Sequence, residues 1–145
     1  MAARLWQPLG AEADATWNLD SERSGFEKME SGFNARPVDY ARFGLLFLHN
    51  GEWNDKRIVS RGWVRAATGA DRATDPAYYY GYRYFWWRDV DQPGRFYAQG
   101  KYGQYIYVAP DADAVIVRFG RDWGVGNITW LATFRDVADQ LEGRS

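Results

Sequence analysis

The feature that most constrains the fold of this chain is a run of β-strand patterns between residues 95 and 120. Aromatic and β-branched residues dominate this run, as they do in half-buried strands. Strands are predicted at about 95–100, 103–109 and 113–120. Gly100 and Gly103 punctuate the first connection, and Pro110-Asp111-Ala112-Asp113 supplies a turn for the second. Connections this short join antiparallel neighbours, so the run predicts three antiparallel strands of one sheet.

A helix is predicted at about 37–49, ahead of the strand run. Pro37 suits a first helical turn, and Asn50-Gly51 supplies a left-handed stop. A short hairpin centred on Asn54-Asp55 follows. His49, the only histidine of the chain, lies at the predicted end of this helix. One histidine in a chain without cysteine argues against a zinc site.

Two further helices are predicted. One spans about 61–69 with Ser60 as its N-cap. The last begins with Asn127 as its N-cap and ends at Gly143. Apolar residues recur along it at three- and four-residue steps, at Ile128, Leu131, Phe134, Ala138 and Leu141. Such a stripe normally packs on a sheet face.

The remaining segments are less regular. Tyr79 to Trp87 is aromatic throughout and predicts one strand, buried on both faces or carrying an aromatic outer face. Residues 5–33 show little periodicity and predict a long loop pinned by large apolar side chains. We therefore predict an α+β fold, with helices packed on an antiparallel β-sheet of about three to four strands. One domain spans 1–145, with an irregular anchor loop at 1–34 and the helices and sheet at 35–145.

Composition excludes several classes of function. The net charge of −1 gives no bulk attraction to nucleic acid or to an anionic membrane. No apolar run approaches the ~20 residues of a membrane-spanning helix. The N-terminal residues do not form a signal peptide, so a cytoplasmic location is the default expectation. No cofactor and no metal are predicted. Aromatic residues make up 18% of the chain, which predicts either a core of large rings or an aromatic-lined ligand groove.

Candidate site residues cluster at the first strand connection, and each has a structural alternative. Lys101 can act as a base if it is desolvated, or it is an exposed hairpin lysine. Tyr102 and Gln104 can line a substrate cleft or face solvent. Gly100 and Gly103 can admit a ligand close to the backbone, or they relieve a bend between strands.

A separate acidic loop contains Asp20, Glu22, Glu27 and Glu30. Paired carboxylates can perform glycosidase chemistry. Because no further motif accompanies them, a solvated surface is the competing interpretation.

Three segments, in this order and at these spacings, resemble one enzyme family. Gly32 to Gly44 is similar to a G-x-x-x-T-x-x-D-L-A-R-F-G pattern at the start of a helix. Gly51 to Ser60, followed by Trp63-Val64, is similar to the segment behind that helix, and Gln99 to Val117 is similar to a K-T-G strand and its hairpin. The chain thus resembles the C-terminal region of the penicillin-recognising, β-lactamase-like serine hydrolases. The closest branch is that of the esterases and the 6-aminohexanoate-dimer hydrolases.

The resemblance implies a reaction class and a set of site residues. In this family a serine attacks an ester or amide, and water then hydrolyses the acyl-enzyme. One backbone oxyanion donor maps onto Lys101, and Gly100 beside it admits the acyl group. Gln99, Tyr102 and Gln104 are the candidate substrate-binding residues. The implied ligand is a small ester or amide.

Departures from the family pattern matter as much as the matches. The chain contains no S-x-x-K, the motif that carries the nucleophile, and no Y-x-N. Ala98-Gln99-Gly100 stands in place of K-T-G, so the lysine that binds a β-lactam carboxylate is absent. No catalytic set is complete, and we expect this chain alone to be inactive.

Two kinds of partner are predicted. A serine hydrolase portion of this kind would need an N-terminal segment that carries S-x-x-K. Alternatively, the chain is a non-catalytic binding or assembly module. In that case the strand at 113–120 would form an exposed sheet edge, which templates a homodimer or a strand-swapped oligomer.

Overall fold

The chain builds one five-stranded antiparallel sheet with helices on both faces. The computed structural model describes residues 2–28, 31–69 and 81–143. The helices and strands in chain order are β1 (Thr16–Trp17), β2 (Phe33–Asn34), α1 (Pro37–Leu48), β3 (Glu52–Trp53), β4 (Lys56–Arg57), α2 (Arg61–Thr68), β5 (Tyr82–Arg83), β6 (Trp86–Arg88), β7 (Phe96–Gly100), β8 (Gln104–Ala109), β9 (Ala114–Arg118) and α3 (Asn127–Glu142). Within the described ranges, no helix combines the length and apolarity needed to cross a membrane.

The main sheet has the strand order β5-β6-β7-β8-β9, with antiparallel pairing throughout. At its centre Tyr97 of β7 pairs with Tyr107 of β8. In the described part of the chain, β9 pairs with β8 alone and forms one edge of the sheet. The predicted α+β fold is confirmed, and the sheet has one strand more than the predicted three to four.

The extra strand arises because the aromatic segment is a hairpin and not a single strand. Tyr84 and Phe85 have left-handed backbones, with φ of 42° and 72°, and they reverse the chain between β5 and β6. Sequence patterns did not reveal this turn, because left-handed turns are usually marked by glycine or asparagine. Tyr79 and Tyr80 lie outside the described residues.

Alternating side chains of the central strands bury both faces of the sheet. Phe96, Ile106 and Val108 pack with residues of α1 and α2. Tyr97 and Tyr107 pack against α3 on the other face. Each large ring removed from water adds to the hydrophobic stabilisation, so the central strands contribute to the core on both faces of the sheet.

Local turn and cap signals are confirmed. Asn50 has a left-handed φ of 54° at the end of α1, and Asn54 and Asp55 form the β3–β4 turn with φ of 47° and 59°. The Ser60 hydroxyl accepts a hydrogen bond from the Trp63 N–H at 3.1 Å. These signals are readable because they depend on neighbours in sequence alone.

The last helix differs from the prediction at its start. Gly126 is the N-cap residue and provides no side-chain cap. Asn127 is the first helical residue, and its Oδ1 accepts a hydrogen bond from the Tyr105 hydroxyl at 2.7 Å. Ile128 is 83% exposed and Leu141 is 40% exposed, so both lie outside the buried stripe. That stripe consists of Leu131, Phe134 and Ala138.

The N-terminal region is more ordered than an irregular anchor loop. β1 pairs with β2, which places Trp17 opposite Phe33. Trp6 and Leu9 are buried as predicted, whereas Phe26 is 71% exposed. Two-residue strands far apart in sequence leave no periodic signal, so this pairing was missed.

Candidate functional site

A cleft of about 1070 Å³ opens between the N-terminal region and the β7–β8 connection. Its lining includes five of the residues singled out from sequence, Gln99, Gly100, Lys101, Tyr102 and Gln104, and does not include Gly103. Residues of the β1–β2 region and of the β5–β6 hairpin form other parts of the wall. A second cavity of about 430 Å³ lies between α1, α2 and the start of β7, and contains none of these candidates.

The β7–β8 connection is the three-residue turn Lys101–Gly103. Gly100 precedes it in extended conformation, with φ of −114°. Tyr102 and Gly103 both have left-handed backbones, with φ of 61° and 71°. Gly103 is therefore the position whose backbone calls for glycine, while Tyr102 is held in a region that a bulky side chain seldom adopts.

The side chains at this turn face solvent to different extents. Lys101 is exposed, which is the environment of an ordinary hairpin lysine, so its backbone N–H is the stronger functional candidate. Tyr102 is 57% exposed on the rim of the cleft. Gln99 is half-buried in the lining.

The Gln104 side chain is committed to protein backbone. Its Nε2 donates to the Gly120 carbonyl at 2.6 Å, and its Oε1 accepts from the Gly120 N–H at 3.1 Å. This two-way pairing uses a donor and an acceptor of the amide together. A substrate that hydrogen-bonded to Gln104 would compete with these bonds, so the residue shapes the cleft wall.

Arg118 is a residue of this region that sequence reasoning missed. It ends β9 opposite Tyr105. Its Nη1 donates to the carbonyls of Tyr102, at 3.3 Å, and Gly103. Its guanidinium stacks over the Trp130 ring at 4.0 Å from the ring centroid. The one sequence signal was a lone arginine at the end of an otherwise apolar strand.

Aromatic rings line much of the remaining wall. Tyr82 and Trp87 pack with ring centroids 4.5 Å apart, and Tyr40 and Phe119 with centroids 5.0 Å apart. Phe85 is 77% exposed at the same cleft. Both arrangements predicted from the aromatic content, a core of large rings and an aromatic-lined groove, are therefore present.

Tyr40 joins α1 to the N-terminal side of the cleft. Its hydroxyl donates to the Phe33 carbonyl at 2.6 Å. Burial raises the pKa of Tyr40 above its ordinary value, because the phenolate would lose its hydration. The hydroxyl therefore keeps its proton and its donor role at neutral pH.

The serines of the described ranges have varied surroundings. Ser60 caps α2, and Ser31 lies in the cleft lining. Ser21 and Ser24 form an exposed cluster with Asp20. The hydrogen bond from the Ser24 hydroxyl, followed by backbone donors, holds the pKa of Asp20 below its usual value.

The acidic loop does not form a site in the described residues. Glu22 and Glu27 are exposed, and Glu27 takes part in a backbone bridge with Leu19. Glu30 lies outside the described residues. Across the described ranges, no group of three His, Cys, Asp or Glu side chains is arranged to hold a metal ion.

A buried charge network, also missed from sequence, lies on the α3 face of the sheet. Asp89 is 2% exposed and accepts hydrogen bonds from Arg135 Nε at 2.8 Å and the Tyr107 hydroxyl at 2.7 Å. Arg95, also 2% exposed, bonds both oxygens of Asp111 at 3.0 and 2.9 Å. None of these residues lines the cleft, so the network ties α3 to the sheet and is not part of the candidate site.

Comparison with known proteins identifies related hydrolases. No family model matches the chain. Over 81% of its length, the chain is 30% identical to a 6-aminohexanoate-dimer hydrolase from Paenarthrobacter ureafaciens. It is also similar to a solved structure from Bacillus anthracis, provisionally named a 6-aminohexanoate-dimer hydrolase. That match has a TM-score of 0.82 and 29% identity, and it covers 98% of this chain.

The chain spans about a third of the length of these relatives, 32% of the first and 38% of the second. The structural match covers 98% of the chain, which includes the three resembling segments. The chain therefore corresponds to the C-terminal region of the β-lactamase-like serine hydrolases, in the branch of the 6-aminohexanoate-dimer hydrolases.

Proposed function

We propose that this chain forms the substrate cleft and one oxyanion donor of a serine hydrolase that acts on a small ester or amide. The chain would be one domain that forms the C-terminal portion of a larger hydrolase fold. The nucleophile would lie on a separate segment that carries the S-x-x-K motif. The observation that carries this proposal is the cleft, in which Gly100 and the Lys101–Gly103 turn meet an aromatic wall.

The chemistry explains why this chain alone would be inactive. Acyl transfer needs an activated nucleophile, and an anion forms on the carbonyl oxygen as it attacks. The Lys101 N–H would supply one hydrogen bond to that anion. The second donor would come from the nucleophile's own backbone. Loss of a single oxyanion donor lowers kcat by about 10²–10³-fold, so half a site without a nucleophile has no practical activity.

The cleft surface supports a proposal for the substrate class. Aromatic rings such as Tyr82, Trp87 and Phe119 offer flat apolar contact area, whereas Gln104 has its amide engaged. Apolar walls of this kind favour a substrate with an alkyl or aromatic acyl chain. The ester or amide carbonyl would lie at the β7 end, beside Gly100.

The test is complementation with the missing part of a related enzyme. The portion of the Paenarthrobacter ureafaciens hydrolase that lies outside the match would be co-expressed with this chain. Hydrolysis of p-nitrophenyl esters and fluorophosphonate labelling would then be measured. We expect labelling and turnover with both segments present, and neither with this chain alone. A Ser→Ala change in the added segment's S-x-x-K motif is the control for background activity.

Two outcomes would contradict the proposal. A stable complex without turnover would remove the hydrolase role. Stoichiometric labelling of the isolated chain, for instance at the cleft residue Ser31, would show a nucleophile outside the family pattern.

The second candidate function is an assembly module that oligomerises through β9. In the described part of the chain β9 has β8 as its strand neighbour, so its outer edge has backbone groups available for pairing. Val115 and Val117 pack into the core cluster beneath α1, which holds the strand in a pairing-competent conformation.

Light scattering over a range of concentrations distinguishes the two candidates. An assembly module is expected to form dimers or larger oligomers that persist when the hydrolase segment is added. If the chain is a hydrolase portion, its own oligomers should dissociate as it binds the added segment. A clean monomer at high concentration would rule out the assembly role.

A further inference from the structure

One guanidinium group, that of Arg118, forms hydrogen bonds to two backbone carbonyls of the Lys101–Gly103 turn. Arg118 Nη1 donates to the carbonyl of Tyr102 at 3.3 Å and to the carbonyl of Gly103. Arg118 Nη2 reaches the carbonyl of Asp122 at 3.4 Å. The same side chain thus connects the turn to the loop that leads into α3.

The space around this guanidinium is shaped by glycines. A Cβ at Gly103 would lie 2.6 Å from Nη1, and a Cβ at Gly120 would collide with the same group. A Cβ at Gly124 would lie 3.1 Å from Nη2. Because these three residues are glycines, there is space for the Arg118 guanidinium between them.

The fourth side of this space is an aromatic ring. The guanidinium carbon lies 4.0 Å from the centroid of the Trp130 ring, a distance suited to a cation–π interaction. The Trp130 indole N–H donates to the Trp123 carbonyl at 2.8 Å, which fixes the orientation of the ring. Arg118 is thereby held in one position by α3.

The turn needs such support because of its backbone. Tyr102 has φ of 61°, and a bulky residue keeps this conformation only where its surroundings enforce it. Arg118 holds the carbonyls of two successive peptide groups, Tyr102–Gly103 and Gly103–Gln104. Without them, the turn could relax and rotate the peptide groups that precede it.

We propose that Arg118 is the positioning residue of the oxyanion turn: it fixes the Tyr102 and Gly103 carbonyls so that the Lys101 N–H points into the cleft. This role rests on the function proposed above. Arginine suits it better than lysine, since a planar guanidinium can bond two carbonyls while it stacks on Trp130. The group touches no substrate and acts through the turn.

The experiment uses the active complex of this chain with the nucleophile segment. Three variants are compared, Arg118→Ala, Arg118→Lys and Gly120→Ala. The last keeps the arginine but places a Cβ against its guanidinium. Arg121→Ala is the matched control, because Arg121 is exposed in the same loop.

Kinetics separate positioning from binding and from folding. We expect Arg118→Ala and Gly120→Ala to lower kcat by about 10- to 100-fold while KM changes less than about twofold, as for a displaced transition-state donor. Arg118→Lys is expected to have a kcat close to that of Arg118→Ala. Millimolar guanidinium ion should restore part of the kcat of Arg118→Ala and leave Arg121→Ala unchanged.

A second measurement uses the chain without the added segment. Amide ¹⁵N shifts of Gly103 and Gln104 report hydrogen bonding at the carbonyls that precede them, so both should move in Arg118→Ala. The amides of the sheet centre, such as Val108, should not.

The outcomes separate the two proposals. An active complex in which Arg118→Ala keeps its kcat within twofold would overturn the role of Arg118. Amide shifts that do not move at Gly103 and Gln104 would also overturn it. An inactive wild-type complex with moving amide shifts would instead remove the hydrolase function, and would leave Arg118 as a residue that orders the turn.

Discussion

Single buried carboxylates connect segments that are distant in sequence. Asp39, in the first turn of α1, is fully buried. Its Oδ1 accepts from the backbone N–H of Glu12 at 2.8 Å and from Arg42 Nη1 at 2.6 Å. In the sequence, Asp39 lies in the family-like segment at the start of a helix, where a carboxylate favours the positive end of the helix dipole. The structure shows that it also attaches the N-terminal region, and with it one wall of the cleft, to the helix.

Replacing Asp39 is expected to weaken this attachment. Asp39→Ala leaves the Glu12 N–H without its acceptor and Arg42 without its nearest anion. We expect the free energy of unfolding to fall by about 2–4 kcal/mol. Asp39→Asn keeps one side-chain oxygen as an acceptor, so its free energy of unfolding should fall by about half as much. Urea unfolding measures both, with the exposed Asp136→Ala as a control that should stay within about 0.5 kcal/mol. Equal stability of the Ala variant and the wild type would contradict this role.

Among the elements, α1 and the sheet approach each other unusually closely. A Cβ at Gly44 would lie 2.6 Å from Val115 Cγ1 and 2.9 Å from Ile106 Cγ2. The α+β fold predicted from sequence has helices packed on the sheet. The sequence pattern did not predict that the contact passes through a glycine, because periodicity gives the face of a helix and not its distance from a neighbour.

The Gly44 contact can be tested with a pair of substitutions. Gly44→Ala should lower the free energy of unfolding by about 1–3 kcal/mol through overpacking, in spite of a gain of about 1 kcal/mol in helix propensity. The double variant Gly44→Ala/Val115→Ala should lose less unfolding free energy than the two single variants lose together. We expect the difference to be at least about 0.5 kcal/mol.

Gly62→Ala is the matched control for this pair. A Cβ at Gly62, in α2, would meet nothing within 4 Å. This change should therefore stabilise the protein by up to about 1 kcal/mol. Additive losses at positions 44 and 115 would show that the contact is not tight.

For the molecule as a whole, the buried charges on the α3 face link stability to pH. Burial by itself raises the pKa of Asp89, but hydrogen bonds from Arg135 and Tyr107 outweigh it and leave the pKa below the ordinary 3.8. Arg95 likewise lowers the pKa of Asp111. A carboxyl group with a lowered folded-state pKa contributes stability above its unfolded pKa, and this contribution is lost as the pH falls through the folded value.

The dependence of the free energy of unfolding on pH at acidic pH, the acid limb of the stability profile, should therefore depend on Asp89. We expect the wild-type free energy of unfolding to decrease as the pH is lowered from about 5 to about 2. Asp89→Asn should be less stable at pH 7 by about 2–4 kcal/mol, because Arg135 loses its buried charged partner and retains the more exposed Asp91. Its acid limb should also be flatter. Urea midpoints at several pH values give both profiles, and parallel profiles would refute the linkage.

The sequence by itself determined the elements whose signals are local. The Ser60 cap, the Asn54-Asp55 turn, the Asn50 stop and the strands β7, β8 and β9 follow from neighbouring residues, and the order of the resembling segments pointed to the hydrolase family. Only the tertiary structure decided the rest. It showed the hairpin at Tyr84, the pairing of β1 with β2, the commitment of Gln104 to Gly120, and the support of the oxyanion turn by Arg118. The last three depend on contacts between residues far apart in the chain, which exist only once the core has brought the segments together. The Tyr84 hairpin depends on left-handed backbones at residues that carry no turn signal.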